Sequence, residues 1–159
     1  MPKYISENCF EYIEWQSVYI EKFKNENNNL YLTFKNLEIT NEHPLNPFET
    51  EWETDEAVVV FYDFEVLDSG YYDCSQVQKQ VKSYDKCPYV PISLLHLIND
   101  FTIVTENIKR KNKSFFIQTF EGFPWQYGED NWGYFKLKYK RIEMMWDSFY
   151  NQDDNNVRY

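Results

Sequence analysis

The stretch FETEWETDE at 48–56 places Glu49, Glu51, Glu53 and Asp55 two residues apart. In an extended chain alternate side chains share a face, so four carboxylates would project from one side. Such a row suits a basic partner surface. It also suits Ca²⁺, which takes several oxygen ligands. Its commonest use is plainer: a charged strand edge that discourages sheet-to-sheet aggregation. A basic row, Lys136, Lys138 and Lys140, alternates in the last long strand and can face the acidic one or lie apart from it.

A second concentration is FEGFPWQYGEDNWGYF at 120–135, with seven aromatic residues in sixteen. Large rings usually fill a core. Exposed, Trp125, Tyr127 and Trp132 would form a hot spot for a protein partner, or a platform for a sugar ring beside Glu129 and Asp130. Those two carboxylates make a poor acid/base couple for a hydrolase, because neighbours on an extended chain point opposite ways.

Other chemistry is thinly represented. His43 and His96 are the two histidines, and Cys9, Cys74 and Cys87 the three cysteines. None lies within four residues of another, whereas zinc sites use closely spaced ligand pairs. His96 reads as a hydrogen-bonded core residue and each cysteine as a buried structural thiol. There is no GxSxG elbow and no glycine-rich phosphate loop. No cofactor or metal is expected, and the balance leans away from an enzyme.

With 26 acidic and 16 basic side chains the formal charge is −10. That field repels nucleic acid and draws a basic protein partner. No segment has the roughly 20 apolar residues that span a bilayer, and the first residues carry no apolar run of the signal-peptide kind. With an odd cysteine count, these features read as a soluble, reduced, cytoplasmic protein, a Cys74–Cys87 bridge being the alternative.

These residues need a scaffold, and the composition specifies a β-rich one. Aromatics make up 20% of the chain, and Ala57 is its only alanine. SVYIEKF (17–23) and LYLTF (30–34) should pair as a hairpin around NENNN (25–29). Further strands are expected at 57–66, 102–106, 113–123 and 133–146, with a basic turn at 109–113. A surface helix is expected at 75–83. ISLLHLIND (92–100) reads as helix or buried strand, and ENCFEYIEW (7–15) as a turn of helix or an opening strand.

One pattern recurs: FKNLEI (34–39), FYDFEV (61–66), INDFTI (98–103), FEGFPW (120–125) and YKRIEM (139–144). Apolar residues stand three apart, then two. Upstream the alternation is that of a strand, as in Leu30, Leu32, Phe34. A one-residue slip would send the following side chains to the other face unless a bulge or a tight hairpin restores them. Bent, bulged strands fit better, since the second positions seldom suit a type I′ turn; Glu121–Gly122 is the best hairpin candidate. The copies have no fixed period, so they mark strand geometry and not a solenoid.

The fold class that follows is mainly β: an antiparallel β-sandwich or flattened open barrel, with bent, bulged strands and one or two short helices. A single domain over 1–152 and a frayed tail at 153–159 are expected. In size, acidity, aromatic richness and lack of catalytic motifs the chain resembles bacterial immunity proteins. That resemblance is one of composition, and it implies a non-enzymatic protein that binds a protein partner, a basic one favoured, through Glu49, Glu51, Glu53, Asp55, Trp125, Tyr127 and Trp132. A carbohydrate-binding module is the second reading and a hydrolase the third.

Overall fold

The computed structural model describes residues 1–76, 84–110, 113–151 and 157–159. Its strands form three sheets, antiparallel throughout, in the manner of an antiparallel β-sandwich. The central sheet has the order β1 (Tyr4–Glu7), β14 (Arg141–Trp146), β8 (Ala57–Tyr62), β5 (Asn29–Phe34), β4 (Lys22–Glu26). The wide sheet runs β10 (Tyr89–Pro91), β9 (Glu65–Tyr72), β13 (Trp132–Tyr139), β12 (Phe116–Pro124), β11 (Phe101–Arg110), β3 (Val18–Tyr19). The small sheet runs β16 (Val157–Arg158), β15 (Phe149–Asn151), β7 (Trp52–Thr54), β6 (Glu38–Ile39), β2 (Ile13–Glu14).

The repeated hexapeptide explains how three sheets share one core. At Asp63, β8 leaves the central sheet and continues as β9 in the wide one. Its antiparallel neighbour β13 crosses back at Lys140 to become β14. The Lys140 amide donates to the Tyr62 carbonyl (3.0 Å), and its Nζ lies 3.5 Å from Asp63. The phase slip is therefore a corner, where a bent strand changes sheets. Asp63 has φ 50°, a left-handed conformation that Asp accepts better than bulky residues do. FKNLEI turns the other corner, from β5 into β6, and Phe34, Leu37 and Ile39 all stay buried.

The other two copies do something else. In INDFTI, Asp100 (φ 72°) ends a helix, α1 (Leu94–Leu97), and starts β11. FEGFPW is no hairpin: β12 runs straight through it, and Gly122 does not adopt a positive φ. The bulges lie elsewhere, at Val104 opposite Gly122 and at Leu67 in β9.

The core is one cluster fed by all three sheets. Phe61 sits in it with Phe120 and Tyr139, at ring distances of 6.0 and 5.1 Å. The buried Tyr139 hydroxyl donates to Gln118 (2.8 Å), which in turn donates to Glu106 (2.9 Å). That chain satisfies polar groups that would otherwise be costly inside. The core role expected of His96 falls to the other histidine: His43 is buried, its Nδ1 accepting from the Leu45 amide at 3.0 Å, while His96 is exposed on α1. Burial pushes the His43 pKa down.

Several local expectations change. The 17–34 hairpin closes through a two-residue turn, Asn27–Asn28, not a five-residue loop. Both residues have positive φ, as a type I′ turn requires. Residues 7–15 give strand, a 3-10 turn at Phe10–Tyr12, and strand again. Most of the 75–83 helix and part of the 109–113 turn lie outside the described residues. Of the 153–159 segment, Val157–Arg158 form β16, and Tyr159 packs on Phe48 and Trp52. Cys74 and Cys87 are joined in a disulfide with Cα atoms 5.1 Å apart, which displaces the reading of these two as reduced thiols; Cys9 is free and half-buried. No helix is long and apolar enough to cross a membrane among the described residues.

Candidate functional site

The acidic residues do not form the single stripe expected. The chain is irregular through Thr50, so Glu49 is merely exposed, and strand geometry begins only at Trp52. Asp55 turns inward at the corner between β7 and β8. Its Oδ1 accepts from the amides of Asp147 (3.0 Å) and Ser148 (3.1 Å), a structural task. Glu53 instead joins a row that runs across strands. Glu14 of β2 stands opposite Glu38 of β6, and Glu38 opposite Glu53 of β7. Glu51 hydrogen-bonds to Glu38. Glu14 and Glu38 escaped the sequence reading because their partners lie 24 and 15 residues away, and register is set by pairing rather than by local spacing.

Like charges directly opposite one another oppose folding. The hydrogen bond to Glu51, partial burial and repulsion from Glu51, Glu14 and Glu53 together push the Glu38 pKa up to about 7. The folded protein thus holds a proton there that the unfolded chain releases nearer the ordinary value of 4.5. This contribution to stability is complete below pH 4.5 and is lost as pH rises through 7. Glu38→Gln should therefore stabilise the protein at pH 8, with an advantage that shrinks towards pH 4.5. Urea unfolding across that range measures it, and an advantage that is flat with pH counts against the shared proton.

Beside this row lies a groove of about 370 Å³. Glu14, Glu21, Glu38, Glu53 and Tyr19 line it, and Lys35 is the one basic side chain among its described lining residues. Asn36 donates to Glu53 (3.4 Å). The described residues include no cluster of three or more His, Cys, Asp or Glu arranged to hold a metal. Lys138 meets Glu65 on β9 and Lys140 meets Asp63 at the corner before it, and Lys136 stands opposite Asp68, so the basic row sits apart from the acidic one.

The aromatic segment divides by strand alternation. Phe120 and Phe135 point inward and are fully buried, while Phe123, Trp132 and Tyr134 lie on the outer face of the wide sheet. Trp125, in a 3-10 turn after β12, is 39% exposed and donates through Nε1 to Thr102 (2.8 Å). Tyr127 is stacked on Tyr71 at 4.9 Å. Glu129 and Asp130 occupy an exposed turn.

Pairing turns these outward residues into a line. Tyr89 of β10 is opposite Tyr72 of β9, which is opposite Trp132 of β13. Trp132 meets Phe123 of β12 edge-to-face at 5.3 Å. Phe123 is opposite Thr102 of β11, and Thr102 opposite Tyr19 of β3. The row crosses all six strands and ends at the groove that Tyr19 lines. Tyr19, itself 41% exposed, donates to Asp100 (2.9 Å), whose carbonyl accepts from the Trp125 amide (3.0 Å). No family model, curated protein or solved structure matches this chain.

Proposed function

We propose that the chain is a non-enzymatic binding protein that engages a basic protein partner. The partner lies along the outer aromatic row and places a cationic side chain in the adjoining acidic groove. The observation that carries this reading is the continuity of the two surfaces at Tyr19. Aromatic rings supply rigid contact area for hot spots, and the carboxylates supply attraction and selectivity. Trp125, Trp132, Glu51 and Glu53 keep the contact role assigned to them. Tyr127, Glu49 and Asp55 contribute less, being stacked away, remote and occupied with the backbone respectively. An immunity-type partner, a toxin neutralised by binding, is one form this reading takes.

The geometry disfavours the sugar platform. Phe123 is perpendicular to Trp132 (90°) and within 29° of Trp125, so the two tryptophan planes cannot be parallel. One face of Trp132 is also covered by Tyr84 at 4.7 Å and 9°.

Peptide display against the intact, immobilised chain tests the reading. Selected peptides should combine Lys or Arg with flat apolar side chains. Their affinity should fall about tenfold or more in Trp125→Ala and in a Glu38→Gln/Glu53→Gln double variant, and fall again as salt rises. Enrichment of acidic peptides, or equal binding by the variants, sinks it. The cytoplasmic placement is a proposal in tension with the disulfide, since such bridges are rare in the cytosol. Counting free thiols in protein alkylated at the moment of cell lysis decides between compartments: one for the oxidising, three for the reducing.

A further inference from the structure

The Cys74–Cys87 bridge sits beside Trp132 in the aromatic row. Cys74 lies two residues beyond the end of β9, and its amide donates to the buried side chain of Asn131 (2.9 Å). Cys87 closes the 3-10 turn Tyr84–Lys86, its amide donating to the Tyr84 carbonyl (3.0 Å). The Asp73 amide donates to the Pro88 carbonyl (2.7 Å), continuing the β9–β10 ladder towards the bridge. The disulfide thus ties the turn to the sheet just where Tyr84 lies flat on Trp132, the central ring of the row.

We propose that this turn is a redox-released strap. With the disulfide formed, Tyr84 covers Trp132. When a dithiol reduces the bridge, the strap loosens and Trp132 becomes available to the partner. The step is an ordinary exchange. The Sγ–Sγ bond takes two electrons and two protons from the dithiol, leaving two cysteine thiols here and an oxidised cyclic disulfide there.

The magnitudes suit a switch. An aromatic stack alone favours the closed state by only about 2- to 12-fold. A disulfide closing a loop of this size adds a factor on the order of 100 by limiting the open ensemble. β10 remains paired to β9 without the bridge, through Tyr89, Val90 and Pro91. Release is therefore confined to the turn, and the sheet beneath it stays formed.

This inference rests on the reading of the row as the binding surface, yet its test is separate. Acrylamide quenching of tryptophan fluorescence is measured on the whole protein before and after dithiothreitol, with thiols counted. Quenching should rise on reduction. The rise should be absent in Trp132→Phe and already present, without reductant, in both Cys74→Ser/Cys87→Ser and Tyr84→Ala, the latter keeping its disulfide. Unchanged quenching once three thiols are titrated overturns the strap, as does Tyr84→Ala behaving like the oxidised wild type. Increased quenching without any gain in affinity for selected basic peptides leaves the strap standing and removes the binding reading.

Discussion

Gly122→Ala is expected to cost about 3 kcal/mol of stability or more, at the upper end of overpacking substitutions. The residue has ordinary strand geometry, so conformational freedom is not what it supplies. A Cβ there would lie 1.8 Å from the Thr102 carbonyl oxygen and 2.9 Å from its carbon. Those are backbone atoms and cannot rotate aside. The approach is this close because β11 bulges at Val104, opposite the Gly122–Glu121 pair. The bulge presses one strand on the other, and only a residue without a side chain fits beneath it. Thermal unfolding should show a drop of about 6–12 °C. The damage should also reach the outer aromatic row, because Thr102 bonds to Trp125 and pairs with Tyr19. A variant melting within about 2 °C of wild type would mean that the two strands are not so tightly apposed.

Gly122 shows where the sequence is legible and where it stops. The mainly antiparallel β architecture follows from composition and alternation, because burial of one strand face is a local, period-two signal. In three of its five copies the three-then-two spacing marks a real bend, and in one of these Phe34, Leu37 and Ile39 stay on the core side as it requires. What the spacing does not encode is the partner strand. Gly122 looks like a hairpin glycine beside Glu121, but its reason lies in Thr102, twenty residues away. The same limit governs the candidate site. Trp125 and Trp132 were visible as an aromatic concentration, yet their row is completed by Tyr19, Tyr72 and Tyr89 from three other strands. Glu51 is exposed and Glu53 half-buried, on a row different from the stripe that their spacing suggests. Their true neighbours, Glu14 and Glu38, came from β2 and β6, each only two residues long, where no periodicity exists to be read. The Cys74–Cys87 bridge is only the second reading of the sequence, for a different reason. A bridge between residues 13 apart depends on how β9 and β10 pair, and an odd cysteine count argues against it in advance.

The two halves of FYDFEV should respond very differently to truncation. Phe61→Ala is expected to destabilise by about 3–5 kcal/mol, the usual range for emptying a large aromatic site in a core. Phe61 is wholly buried at the corner, where its ring meets Phe120 of β12 and Tyr139 of β13. Those neighbours are held in the β12–β13 ladder of the wide sheet and cannot close freely on the vacancy. Val66 occupies the last position of the same motif, equivalent to Ile39 and Met144, which are buried. It is 38% exposed, because β10 reaches β9 only at residues 70–72 and leaves Val66 on an uncovered edge. Val66→Ala should therefore fall within about ±0.5 kcal/mol of wild type. Urea unfolding of the pair measures the difference directly. If both substitutions cost several kcal/mol, the chain beyond Asp63 packs against the core, and the corner there is a bend within one sheet. If only Phe61 matters, FYDFEV preserves the inward face as far as the corner itself. How far that face then stays covered depends on which strand lies alongside.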